Sequence, residues 1–98
     1  MEIHLTVSSD LPSDHIKSTF TSALSSAGLD CKELCLKKYP GSTHWHITKP
    51  GEKGTLEATW RPSKRQFWFS IHSNRRSDWQ EGTIQTLGAL LDPNFRSN

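Results

Sequence analysis

The sequence predicts an α+β fold in two layers, in the order β-α-β-β-β-β-α, with a five-stranded antiparallel sheet and both helices on one face. Three observations carry that expectation. Between His44 and Asn74, three runs alternate apolar and polar residues with period two, and short turn-rich links join them. Two other segments repeat apolar residues at helical spacing. A chain of 98 residues suffices for one hydrophobic core and not for two.

Residues 2–8 alternate, with Ile3, Leu5 and Val7 inward and Glu2, His4 and Thr6 outward, as a first strand would. Ser9 and Asp10 offer an N-cap, and Pro12 is tolerated in a first helical turn, where no intrahelical N–H bond is lost. Ile16, Phe20, Ala23, Leu24 and Ala27 then share one face of a helix over 11–27. Gly28 ends it, since glycine reaches the left-handed region without a Cβ clash. Residues 31–39 read as a lysine-rich strand, with Leu34 and Leu36 toward the core and Glu33, Cys35, Lys37 and Tyr39 on the other face.

The next three strands are the alternating runs. Trp45 and Ile47, then Leu56, Ala58 and Trp60, then Phe67, Phe69 and Ile71 point inward. His44, His46 and Thr48, then Thr55, Glu57 and Thr59, then Gln66, Trp68, Ser70 and His72 point the other way. Pro50-Gly51 suits a type II turn and Arg61-Pro62-Ser63-Lys64 a second tight link, so these neighbours must be antiparallel. Ser77-Asp78-Trp79-Gln80 carries the S-x-x-Q capping pattern and opens a helix over 78–91, stopped before Pro93. Trp45, Trp60 and Trp79 are read as core. Connection rules give the strand order 2-3-4-5-1, because the first helix is long enough to return the first strand beside the fifth. One domain over 1–92 is expected, with 93–98 a flexible tail. In architecture this arrangement resembles the TATA-binding-protein-like class of α+β folds. No motif of that family is present, so the resemblance implies nothing about DNA binding.

Composition narrows the compartment. The first residues show neither a basic nor an apolar leader region, so no signal peptide is expected. No run approaches the ~18 apolar residues of a membrane span, and a cytoplasmic location follows as the expectation. Cys31 and Cys35 are read as reduced, half-buried thiols, with a disulfide as the alternative. A cysteine zinc site would need a second ligand pair, and none is evident.

The net charge of +2 hides an asymmetry: residues 31–76 carry +7, residues 1–30 carry −3 and residues 77–98 carry −2. The basic sheet face left open by the helices is therefore the expected working surface. Its candidate binding residues are Lys37, Tyr39, His44, His46, Glu57, Arg61, Trp68 and His72. The leading specific partner is nucleic acid or another polyanion, with phosphates on Lys37 and Arg61 and bases stacked on Trp68 and Tyr39. The alternative is another protein or a second copy of the chain, docked on the same face. A second alternative is a metal ion held by His44, His46, His72 and Glu57, because residues two apart on a strand point the same way. No nucleophile–base pair, phosphate-cradling glycine loop or spaced acid pair is found, so neither an enzyme nor a bound cofactor is expected.

Overall fold

The computed structural model describes residues 1–7, 11–35, 38 and 41–91. Seven main elements follow in order: β1 (Glu2–Leu5), α1 (Ser13–Ser26), β2 (Asp30–Cys35), β3 (Thr43–Thr48), β4 (Leu56–Arg61), β5 (Gln66–Ser70) and α2 (Trp79–Leu91). The sheet order is β1-β5-β4-β3-β2 with every pair antiparallel, and the fold is the expected α+β sandwich of one sheet and two helices.

The alternation decides which side the helices cover. Trp45, Ile47, Leu56, Ala58, Trp60, Phe67 and Phe69 are completely buried on the helix side. Phe20 of α1 stands at their centre, its ring 4.8 Å from both Trp45 and Phe67 and at steep angles to each. Such edge-to-face contacts suit the aromatic quadrupole and add to the burial of area. Ile84, Leu87 and Leu91 of α2 complete the same cluster, with Trp79 at its margin. The buried indole N–H groups of Trp45 and Trp60 find no acceptor among the described residues, a cost that their packing must offset.

Links between strands follow the local chemistry. Glu52 N–H donates to the Lys49 carbonyl at 3.0 Å, and Gly51 sits at φ +81°, which closes the type II turn. Pro62–Lys64 forms a single 3-10 turn ended by Arg65 in the left-handed region at φ 51°. That residue is held in place: a guanidinium nitrogen donates to the Leu11 carbonyl at 2.7 Å, and the group lies 5.3 Å from the Trp60 ring.

The start of α2 is tied to the sheet by Gln80, which is fully buried. Its Oε1 accepts from Ser77 N–H at 2.7 Å, which is one half of the expected capping box. Its Nε2 donates to the carbonyls of Thr55 and Arg75, each at 2.8 Å. Gly54 lets this junction close, because a Cβ there would lie 2.6 Å from the Arg75 carbonyl oxygen.

Three expectations are corrected. Helix α1 starts at Ser13 with Pro12 in the capping position and no side-chain cap; Ser9 and Asp10 lie outside the described residues. The second correction concerns β2, whose faces are opposite to the expectation. Leu34 pairs with His44 and so shares the open face, whereas Glu33 and Cys35 pair with Trp45 and Thr43 on the helix side. Glu33 accordingly meets Lys17 of α1 at 3.3 Å. Leu29 sets this parity: it is buried in the core just before the strand, and its neighbours alternate from there.

Both cysteines of β2 are free and exposed, where half-buried thiols were expected. Four residues of extended chain, about 13 Å, separate them, which is beyond disulfide reach. Partial burial, together with the Glu33 and Asp30 carboxylates, raises the Cys31 pKa above its ordinary value and favours the unreactive thiol. Leu36, Lys37 and Tyr39, and the expected tail 93–98, lie outside the described residues.

Candidate metal centre

Strand register assembles two rows of side chains on the open face. His44, Thr59, Trp68 and His4 are successive partners across β3, β4, β5 and β1. His46, Glu57, Ser70 and Glu2 form the adjacent row. Directly opposed residues of antiparallel strands have Cβ atoms about 4.5–5.5 Å apart, so side chains within each row can touch. Central members of these rows are buried, contrary to the expected bare surface: His44 and Glu57 are 8% exposed and Thr59 only 2%. Their place explains this, since Thr59 stands between His44 and Trp68, and Glu57 stands on the middle strand beneath three imidazoles.

Glu57 is the hub. His44 Nε2 lies 2.8 Å from its Oε1, and His72 Nε2 lies 2.9 Å from its Oε2. His46 Nε2 stands 3.7 Å from Oε1. An ionised carboxylate only accepts, so His44 donates its Nε2–H to Glu57. The other nitrogen of His44, Nδ1, is 2.8 Å from Thr59 Oγ1. A hydroxyl both donates and accepts, so Thr59 can donate to Nδ1 or accept from it.

His46 is held toward its neutral form. Burial is the main cause of its lowered pKa; Glu57 acts against it, while His44, Arg75 and Lys32 act with it. A neutral imidazole keeps a lone pair for a metal ion.

Ring nitrogens of His44 and His46 and a carboxylate oxygen of Glu57 all lie within 4.8 Å of one another. Donors of a tetrahedral zinc site, with bonds of about 2.0–2.2 Å, stand about 3.3–3.6 Å apart. The separations of 2.8 and 3.7 Å to Glu57 Oε1 fall on either side of that span. Each imidazole nitrogen thus stands within about 0.5 Å of a coordinating separation from that oxygen.

Of the eight residues singled out from the sequence, four converge: His44, His46, Glu57 and His72. Trp68 lies in the adjacent row, half-buried and stacked on His4 with ring centres 5.6 Å apart. Arg61 sits at the far end of β4, four residues and about 13 Å along the strand from Glu57. Lys37 and Tyr39 lie outside the described residues. Thr59 is the supporting residue that sequence reasoning passed over. Its place two residues from Glu57 was visible, but its contact with His44 depends on the β3–β4 register. A shallow groove between α1 and α2, lined by Ser18, Thr19, Ser22, Ala23, Ser26 and Leu90, offers hydroxyls and methyl groups and no titratable side chain.

The chain matches no protein-family profile, no curated protein and no solved structure. No helix among the described residues is long and apolar enough to cross a membrane.

Proposed function

We propose that this chain is a small metal-binding domain that holds one divalent transition-metal ion, of which zinc is the best fit, on the open face of its sheet. His44, His46 and Glu57 are the ligands. The observation that carries this reading is the convergence of both histidines and the carboxylate within 4.8 Å. Imidazole and carboxylate donors together suit zinc and its neighbours better than calcium or magnesium, which prefer oxygen alone.

Hydrogen bonds around the ligands favour the same reading. With an ion on His44 Nε2, Nδ1–H donates to Thr59 Oγ1 and fixes the ring. With an ion on Glu57 Oε1, the second oxygen still has His72 Nε2 beside it at 2.9 Å. Metal sites commonly have both kinds of outer support.

Titration calorimetry of the chelator-treated chain with zinc tests this, in a background where Cys31 and Cys35 are serine so that thiolates cannot bind the ion. One equivalent should bind, and His46→Ala should weaken binding by roughly tenfold or more, at least the loss typical of an outer support. Equal affinity in the two proteins would show that the cluster serves only to pair strands.

A further inference from the structure

We infer that the metal-loaded centre is a receptor for a phosphate group, which completes the ion's coordination at a position flanked by Lys32 and Arg75. This rests on the metal reading above. Three protein donors leave a fourth position of a tetrahedral ion for an outside ligand. Only one donor, Glu57, is anionic, so a divalent ion at the site retains net positive charge and favours an oxyanion there.

The rim supplies two further cations. Lys32 is the direct cross-strand partner of His46, so its side chain leaves the sheet on the same face, next to that ligand. Arg75 is placed by its backbone. Its carbonyl accepts from Thr55 N–H at 3.3 Å and from Gln80 Nε2 at 2.8 Å, which sets it against the start of β4. Thr55 precedes Glu57 by two residues on the same face. His72, whose Nε2 lies 2.9 Å from Glu57 Oε2, accepts at its carbonyl from Arg75 N–H at 2.9 Å. Both cations are exposed.

Phosphate fits this rim better than a carboxylate does. Arginine presents a fork of donors matched to two phosphate oxygens, lysine supplies a point charge, and the ion takes a third oxygen. The +7 charge of residues 31–76 would draw such a ligand toward the sheet. The phosphate could be free or part of a nucleic-acid backbone; both offer the same oxygens.

Cobalt(II) provides a direct readout, because its visible spectrum reports the fourth ligand. The cobalt-loaded chain, with both cysteines as serine, is titrated at constant ionic strength with inorganic phosphate and, separately, with a short single-stranded oligonucleotide. At least one titrant should shift the cobalt bands, and the one that does identifies the source of the phosphate. In the Lys32→Ala/Arg75→Ala variant that binding should weaken roughly tenfold or more, as expected for lost hydrogen bonds to a charged group. Cobalt affinity in the same variant should not fall, because removing nearby cations cannot disfavour another cation. If cobalt binds and neither titrant changes the spectrum, or if the variant binds as tightly as the parent, the phosphate inference is overturned and the metal reading stands. If cobalt does not bind, both fall.

Discussion

On the proposed metal reading, Thr59 acts through a ligand, His44, without touching the ion. It is 2% exposed on the middle strand, and its hydroxyl lies 2.8 Å from His44 Nδ1. A metal on Nε2 forces the proton onto Nδ1, and Thr59 is the group placed to accept it. Thr59→Val keeps the shape and suits a strand, but removes that acceptor. Zinc affinity should fall about tenfold or more, the range typical of an outer hydrogen bond to a metal ligand. Thr59→Ser restores an oxygen and should recover most of the affinity. Calorimetry on the three proteins decides the matter. If valine lowers stability while zinc binds as before, Thr59 only packs the sheet.

At the level of elements, the junction of β4, the Ser73–Arg75 turn and α2 depends on Gln80, which makes three hydrogen bonds with its one amide. At ~0.5–1.5 kcal/mol for each, Gln80→Ala should cost about 2–4 kcal/mol in urea unfolding, since Thr55, Arg75 and Ser77 all lose a partner. A cost below about 0.5 kcal/mol would mean that water replaces the amide freely. The capping pattern that begins at Ser77 marked this helix start in the sequence, but not the two bonds to the sheet, because they join residues brought together only by the fold. The same distinction runs through the whole chain. Strands β3, β4 and β5 were legible because both faces give a signal, Trp or Phe alternating with His, Thr or Glu. Strand β2 misled because Leu34 is its one large aliphatic residue within the described span, and an edge strand pairs on one side only. There the register with β3, set from Leu29 onward, overrode the local pattern. For the site, parity showed that His44, His46, Glu57 and His72 share a face. Their convergence needed the cross-strand offsets that place Glu57 opposite His46 and beside His44, and those offsets depend on turn geometry.

Across the whole molecule, the metal reading makes a prediction about stability. The ligands come from two strands, with Glu57 lying 13 residues beyond His44 in the chain. His72, from the segment after β5, braces the carboxylate. An ion at this point ties β3 to β4 and stiffens their junction with the segment leading to α2. In the unfolded chain these donors seldom meet, so the ion binds the folded state preferentially and stabilises it by mass action. At a free zinc concentration 100 times the dissociation constant, that contribution is about 2.7 kcal/mol. For a domain of this size each kcal/mol shifts the melting temperature by roughly 4–8 °C, so saturating zinc should raise it by roughly 10–20 °C. A chelator should reverse the rise, and His46→Ala should show little of it at the same zinc concentration. Thermal melts of both proteins, with both cysteines as serine, measure this directly. Were calorimetry to show the site saturated while the melting temperature stayed fixed, the ion would be binding folded and unfolded chains alike, and a site preformed by the strand register could not be its seat.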